Sequence, residues 1–223
     1  MNHSPIIGRQ EAKSLKAREL ICRATISSLV DLGYVETSIN RVAQRAGVSK
    51  GALQHHFPCK EDLIAAVVDM LLERPLAHGY PLRAGSDCSD AEIVARELRA
   101  TWTDFINTGP YRALLEILMA ARTDTALRQR IEPTLHNWNA MIDRQMRAAY
   151  AAVSGDDADV ELLLVMNRAL LRGLVIQDRY VDDPHYNARV VEFWIKMAAP
   201  LLRPRQREEL DETVEPSIRT YQP

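Results

Sequence analysis

The side chains best placed to do chemistry fall between residues 38 and 60, and their types suit anion binding and hydrogen bonding rather than bond making. Ser38 and Asn40 stand at one expected helix start, Ser49 and Lys50 at a second, and Lys60 opens a third. At a helix start a hydroxyl or ammonium sits beside unpaired backbone N–H groups, a combination that receives phosphate. Gln54 can donate and accept in one plane, which suits a phosphate or the paired donor and acceptor on an adenine edge. His55 is read as an outward contact and His56 as an orienting or backbone contact. A metal reading of the two histidines fails because adjacent helical residues face different directions and no Cys or carboxylate completes the ligand set.

Elsewhere the chain has no nucleophile elbow, zinc-protease, phosphate-loop or dinucleotide motif, and no His-carboxylate pair at helical spacing. No catalytic residue, metal or cofactor is therefore assigned. The acidic run from Gly155 to Glu161 lacks the ordered spacing and central glycine of a calcium loop and fits a helix first turn, where the dipole favours anions. Cys22, Cys59 and Cys88 are widely separated and form no CxxC, so three reduced thiols are expected.

Charge is distributed unevenly. Residues 1–60 hold nine Lys/Arg against four Asp/Glu, a net +5, and the remainder holds 19 against 26, a net −7. A basic head on an acidic body fits a polyanion-binding module joined to something else. The N-terminus lacks a secretory pattern and no apolar run reaches the length of a membrane span, which predicts a cytoplasmic protein without membrane contact.

The elements that must position these residues are helical. Period-two alternation and hairpin dipeptides are scarce, and Ala, Leu, Arg and Glu dominate long stretches, so the fold class is all-α. Ile21, Ala24, Thr25, Ser28, Leu29 and Leu32 repeat at three and four and predict a first helix over 12–32, stopped at Gly33. Thr37 or Ser38 caps a second short helix with Val42 and Ala43 inward, and Ser49 caps a third after a Gly47-Val48 turn. Leu53 and Phe57 anchor the third helix. Lys50, Gly51, Ala52, Gln54 and His55 are left outward, with Gly51 small enough for close approach. A fourth helix opens near Lys60 and runs toward Pro75, and a loop spans Gly79 to Ser89. Later helices are expected from Asp90 to Asn107, from Pro110 to Arg122, from Asp124 to Val153 with a kink or break at Pro133, from the acidic turn onward, and from Asp183-Pro184 to Leu202. Residues 204–223 read as a mobile charged tail.

Two short helices joined by a glycine turn after a longer helix form a helix-turn-helix, which presents its second helix to the DNA major groove. From Ile21 to Leu63 the chain resembles the DNA-binding domain of the TetR family. The likeness rests on Gly33-Tyr34, Thr37-Ser38-Ile39, Val42-Ala43, Ala46-Gly47-Val48-Ser49, Gly51, Leu53, His56-Phe57 and Lys60-Glu61-Asp62-Leu63. Gln54 stands where the family commonly has Tyr, and Leu29 where it commonly has Phe. The resemblance implies a homodimer of all-helical subunits that binds a palindromic double-stranded operator and senses a small-molecule effector through its C-terminal domain. On that basis residues 1–60 form the DNA-binding domain, with a connecting helix to about 76, and 61–203 form the effector-binding and dimerisation domain.

Residues 90–202 hold all three Trp and five of the seven Met. Trp102, Phe105, Leu118, Met119, Trp138, Met141 and Ile142 are candidates to line an effector pocket, with Arg122, Gln145 or Gln177 as polar anchors. The last two long helices carry more apolar residues than one core face needs, and Gly173 would let backbones approach, which predicts a two-fold contact that includes Val175 and Trp194. The leading expectation is a repressor released by its effector. The alternatives are an effector-independent regulator or activator of the same fold, and an all-α ligand-binding protein or enzyme whose hairpin is only structural.

Overall fold

The computed structural model describes residues 8–73, 88–180 and 182–205. The expected loop after Pro75 and the charged tail beyond 205 lie outside the described residues, apart from Cys88 and Ser89. In chain order the helices are α1 (Arg9–Glu36), α2 (Ile39–Ala46), α3 (Lys50–His56), α4 (Lys60–Leu72), α5 (Asp90–Ala100), α6 (Gly109–Ala121), α7 (Thr125–Ala149), α8 (Ala158–Gln177) and α9 (Tyr186–Ala198). The fold is all-α apart from a two-stranded antiparallel ribbon, β1 (Tyr150–Ala152) with β2 (Leu202–Pro204).

Two compact units divide the chain: Met1–Ala77 with Asn107–Trp138, and His78–Ile106 with Asn139–Pro223. In the first unit α1 packs against α2, α4 and α6. Its inward face is the one read from the sequence: Ile21, Ala24, Thr25, Ser28 and Leu29 are buried, joined by Val42, Leu53, Phe57, Leu63, Ile64, Val67 and Ile117 from the other helices. Leu32, included in that periodic set, is instead exposed. Gly33 interrupts α1 at φ 77 and ψ 176, so the predicted stop is a break followed by one more helical turn. That backbone region is open almost only to glycine.

Several boundaries differ from the sequence reading for local reasons. Ser89 closes a capping box with Glu92 and starts α5 as expected, but the chain then widens into a π-helical stretch at Thr101–Ile106. Pro133 neither splits nor ends α7, which is continuous across it. Gln129, whose carbonyl loses its i+4 partner there, is exposed, so water can satisfy it. α7 ends at Ala149 because the next three residues pair with β2, and Arg205 Nε donates to the Arg147 carbonyl at 2.8 Å beside them. Pro200, lacking an N–H, turns the end of α9 into a 3-10 turn at Ala199–Leu201.

In the second unit α5 packs on α9 and on β2, and α8 lies against α9 and the π-helical stretch. Trp194 and Val175, expected at a subunit contact, are 6% and 8% exposed within one chain and belong to its own core. Both point inward because their helices need them there: the Trp194 indole N–H donates to the Asn167 side-chain oxygen across α9 and α8 at 2.9 Å, in a buried site. The apolar surplus lies on neighbouring positions instead. Leu162, Val165, Met166 and Ile176 on α8, and Phe193 and Met197 on α9, are exposed, Phe193 by 65%.

The Asn167–Trp194 bond sets how α8 and α9 meet. Asn167→Ala leaves a buried indole N–H unsatisfied and is expected to cost about 1–3 kcal/mol in urea unfolding. An unchanged midpoint would show that the bond carries no weight.

Candidate nucleic-acid interface

A helix of seven residues does not hold itself, so the position of α3 is set by what it packs on and by its ends. Ser49 caps its start, the hydroxyl oxygen accepting from the Ala52 N–H at 3.1 Å. Leu53 and Phe57 are fully buried and fix its inner side. Arg18 of α1 holds its far end, donating to the His56 carbonyl at 3.1 Å with the guanidinium 4.5 Å from the Phe57 ring centre. The turn before α3 runs through Gly47 in the left-handed region, φ 67 and ψ 28, with the Val48 N–H on the Ala43 carbonyl. Ser38 caps α2, accepting from the Arg41 N–H at 3.3 Å. Thr37, the other candidate cap, is buried and donates to the Gly33 carbonyl at 2.7 Å.

This scaffold leaves one face open. Lys50, Gly51, Ala52, Gln54 and His55 are exposed, as is Asn40 on α2. The side chains of Lys50, Gln54 and Asn40 make no hydrogen bond or ion pair among the described residues. The nearby arginines are engaged: Arg41 pairs with Glu36 at 2.8 Å and Arg45 with Asp31 at 2.6 Å. His56 is half-buried and turned from that face. Burial, then the charges of His55 and Arg18, push its pKa below the ordinary histidine value, favouring the neutral ring.

Lys60 sits differently from the other candidates. Its ammonium donates to the Tyr34 carbonyl at 2.7 Å and lies 3.9 Å from the Tyr34 ring centre, half-buried. Burial lowers its pKa, against the opposing pull of Glu61 and Asp124. It is first a clamp on the end of α1. The sequence offers Lys60 as a phosphate partner at a helix start and Arg18 as one cation of a basic head, and neither internal role follows from any local spacing.

The glycine at 51 has no internal reason to be glycine. A Cβ built there meets nothing within 4 Å, and a helical glycine costs about 0.5–1 kcal/mol relative to alanine. Among the described residues nothing approaches that position, so the surface there is open to a body from outside.

The candidate effector residues divide between the two units. Leu118, Met119, Arg122 and Trp138 belong to the first unit, the remainder to the second. Trp102 and Trp138 are buried, Phe105, Leu118, Met141, Ile142 and Gln145 half-buried, and Met119, Arg122 and Gln177 exposed. Trp102 and Phe105 share the π-helical stretch, a geometry common at functional sites. Among the described residues no group of three His, Cys, Asp or Glu side chains could hold a metal, and no helix is long and apolar enough to cross a membrane.

Residues 21–67 match the family of bacterial regulatory proteins, tetR family. Over 197 residues the chain is 26% identical to the HTH-type transcriptional regulator CymR of Pseudomonas putida, covering 87% of this chain and 95% of that one. A TetR transcription regulator from Haloarcula marismortui has the same fold, with a TM-score of 0.63 at 21% identity over 85% of this chain and all of its own. NalD of Pseudomonas aeruginosa, the secondary repressor of the MexAB-OprM multidrug efflux pump, has a TM-score of 0.56 at 18% identity over 83% and 96%.

If the face of α3 meets a duplex, Gly51→Ala is expected to hold or slightly raise thermal stability while weakening duplex binding about tenfold, or ~1.4 kcal/mol. Equal binding by both proteins would place the duplex elsewhere.

Proposed function

We propose that this chain, a member of the TetR family of helix-turn-helix transcription regulators, is a homodimeric repressor that leaves its operator when a small-molecule effector binds its C-terminal domain. DNA binding and transcription regulation come with the family, and enzymatic activity does not. The observation that carries the DNA contacts is the open face of α3, where the Lys50 and Gln54 side chains stand exposed and unbonded beside a glycine that nothing among the described residues requires. In this reading Lys50 and the caps Ser38 and Ser49 meet phosphates, with Asn40 beside them. Gln54 and His55 reach base edges over Gly51 and Ala52, and His56 orients the helix. The Lys60 ammonium, with donors beyond the one given to Tyr34, holds the end of α1 and faces the backbone of the duplex.

The homodimer is supported by the apolar rows along the outer sides of α8 and α9. Leu162, Val165, Met166, Ala169 and Ile176, with half-buried Gly173 among them, recur at three and four along α8, and Tyr186, Phe193 and Met197, with half-buried Val190, along α9. A Cβ at Gly173 meets nothing within 4 Å, so a partner helix can come close there. A partner covering both rows is expected to form an interface above about 1,000 Å² in total. Two recognition helices then enter successive major grooves when their centres lie about 34–36 Å apart.

Release follows if the effector prefers an arrangement that misses this spacing. A hundredfold preference is worth about 2.7 kcal/mol, and equal affinity for the two arrangements shifts nothing. NalD is by its name a repressor, which supports the sign of the control but belongs to that protein. The cytoplasm, where a bacterial operator lies, is the place of action.

Two measurements test this. Sedimentation at micromolar concentration should find a dimer, with Phe193→Asp giving a folded monomer; a wild-type monomer contradicts the reading. Calorimetry on free and operator-bound protein should find effector and operator each weakening the other by the same factor. An effector bound equally well in both states removes the release mechanism.

A further inference from the structure

The break in α1 exposes a backbone group that the helix would otherwise use. With Gly33 outside helical geometry, the Tyr34 N–H donates instead to the Glu116 carboxylate on α6 at 3.2 Å. The same carboxylate oxygen lies 3.2 Å from where a Cβ on residue 33 would stand, so only glycine leaves room for it without adjustment. The other groups of Tyr34 are taken too. Its carbonyl accepts from Lys60 at 2.7 Å and from the Thr37 N–H at 3.3 Å, and its hydroxyl bonds Asp124 at the start of α7. Burial, reinforced by Asp124 and Glu61, pushes that hydroxyl's pKa up to about 12, so it stays protonated and donates. Thr37 in turn is buried and donates to the Gly33 carbonyl, one residue before the Ser38 cap from which α2 starts.

We infer that Glu116, outside the matched residues 21–67, is a positioning residue for operator binding: by holding the Tyr34 N–H it fixes the junction from which α2 and α3 are hung. The inference rests on the DNA-binding reading above and deepens it by naming how α6 takes part. The path runs from the carboxylate to Tyr34, from Tyr34 and Gly33 to Thr37, and through the Ser38 cap and α2 to the glycine turn before α3. Glu116 touches no DNA in this account. Its helix also carries Leu118 and Met119, two and three residues on, which are among the proposed effector contacts.

The test uses the full-length chain, a duplex selected by the wild-type protein from a random pool, and the variants Glu116→Ala and Glu116→Gln. Glu116→Ala is expected to weaken binding five- to tenfold and to speed exchange of the Tyr34 amide in the free protein, with oligomeric state and unfolding midpoint close to wild type. Glu116→Gln keeps a side-chain oxygen that accepts, and should restore affinity to within about twofold and slow the amide again. Wild-type affinity in Glu116→Ala, or a Glu116→Gln protein as weak as Glu116→Ala, overturns the inference while the DNA reading stands. A wild-type chain that selects no duplex overturns both.

Discussion

Everything proposed for this chain depends on how a seven-residue helix is held still. Isolated helices shorter than about 12–15 residues are marginal in water, so α3 takes its position from Leu53 and Phe57 below it, Ser49 at its start and Arg18 at its end. Those anchors use one side of the helix and both ends. The other side is left exposed, and what it offers is a cation and an amide whose side chains have no partner among the described residues, an imidazole edge-on to His56, and a bare backbone at Gly51. The same interactions that stabilise the unit thus decide which groups remain free for a duplex.

Charge in this head is arranged by the same economy. The net +5 of residues 1–60 overstates the open positive surface, because Arg41 and Arg45 are paired with Glu36 and Asp31 and Arg18 and Lys60 are spent on carbonyls and rings. Exposed ion pairs contribute little to stability. Their effect here is to leave Lys50 as the cation of α3 whose side chain has no partner among the described residues, beside Gln54 and His55, the side chains proposed to reach base edges.

Local features of the first unit were legible in the sequence because they are written in adjacent residues. The Gly47 turn, the Ser49 cap and the Leu53–Phe57 anchor each follow from spacing within a single turn or two. The tiny ribbon was not legible, since Tyr150–Ala152 finds its partner some fifty residues on and neither strand alternates. The π-helical stretch and the unbroken passage of Pro133 likewise depend on tertiary context that overrides propensity. Helix faces in the second unit were half legible: the apolar excess on α8 and α9 was read, but Trp194 and Val175 were placed outward. Periodicity on a helix with more apolar positions than one face holds does not say which of them its own chain will bury. Glu116 was invisible for a plainer reason: its partner is a backbone N–H eighty-two positions earlier, freed by the glycine before it.

The central claim is that two copies of the open α3 face read DNA together, and selection from a pool of random duplexes tests it most directly. Selection by the full-length protein, followed by sequencing, should enrich a two-fold symmetric consensus whose half-sites are centred one helical turn apart, or a multiple of it. Enrichment of a single asymmetric half-site, or of no sequence, would contradict it.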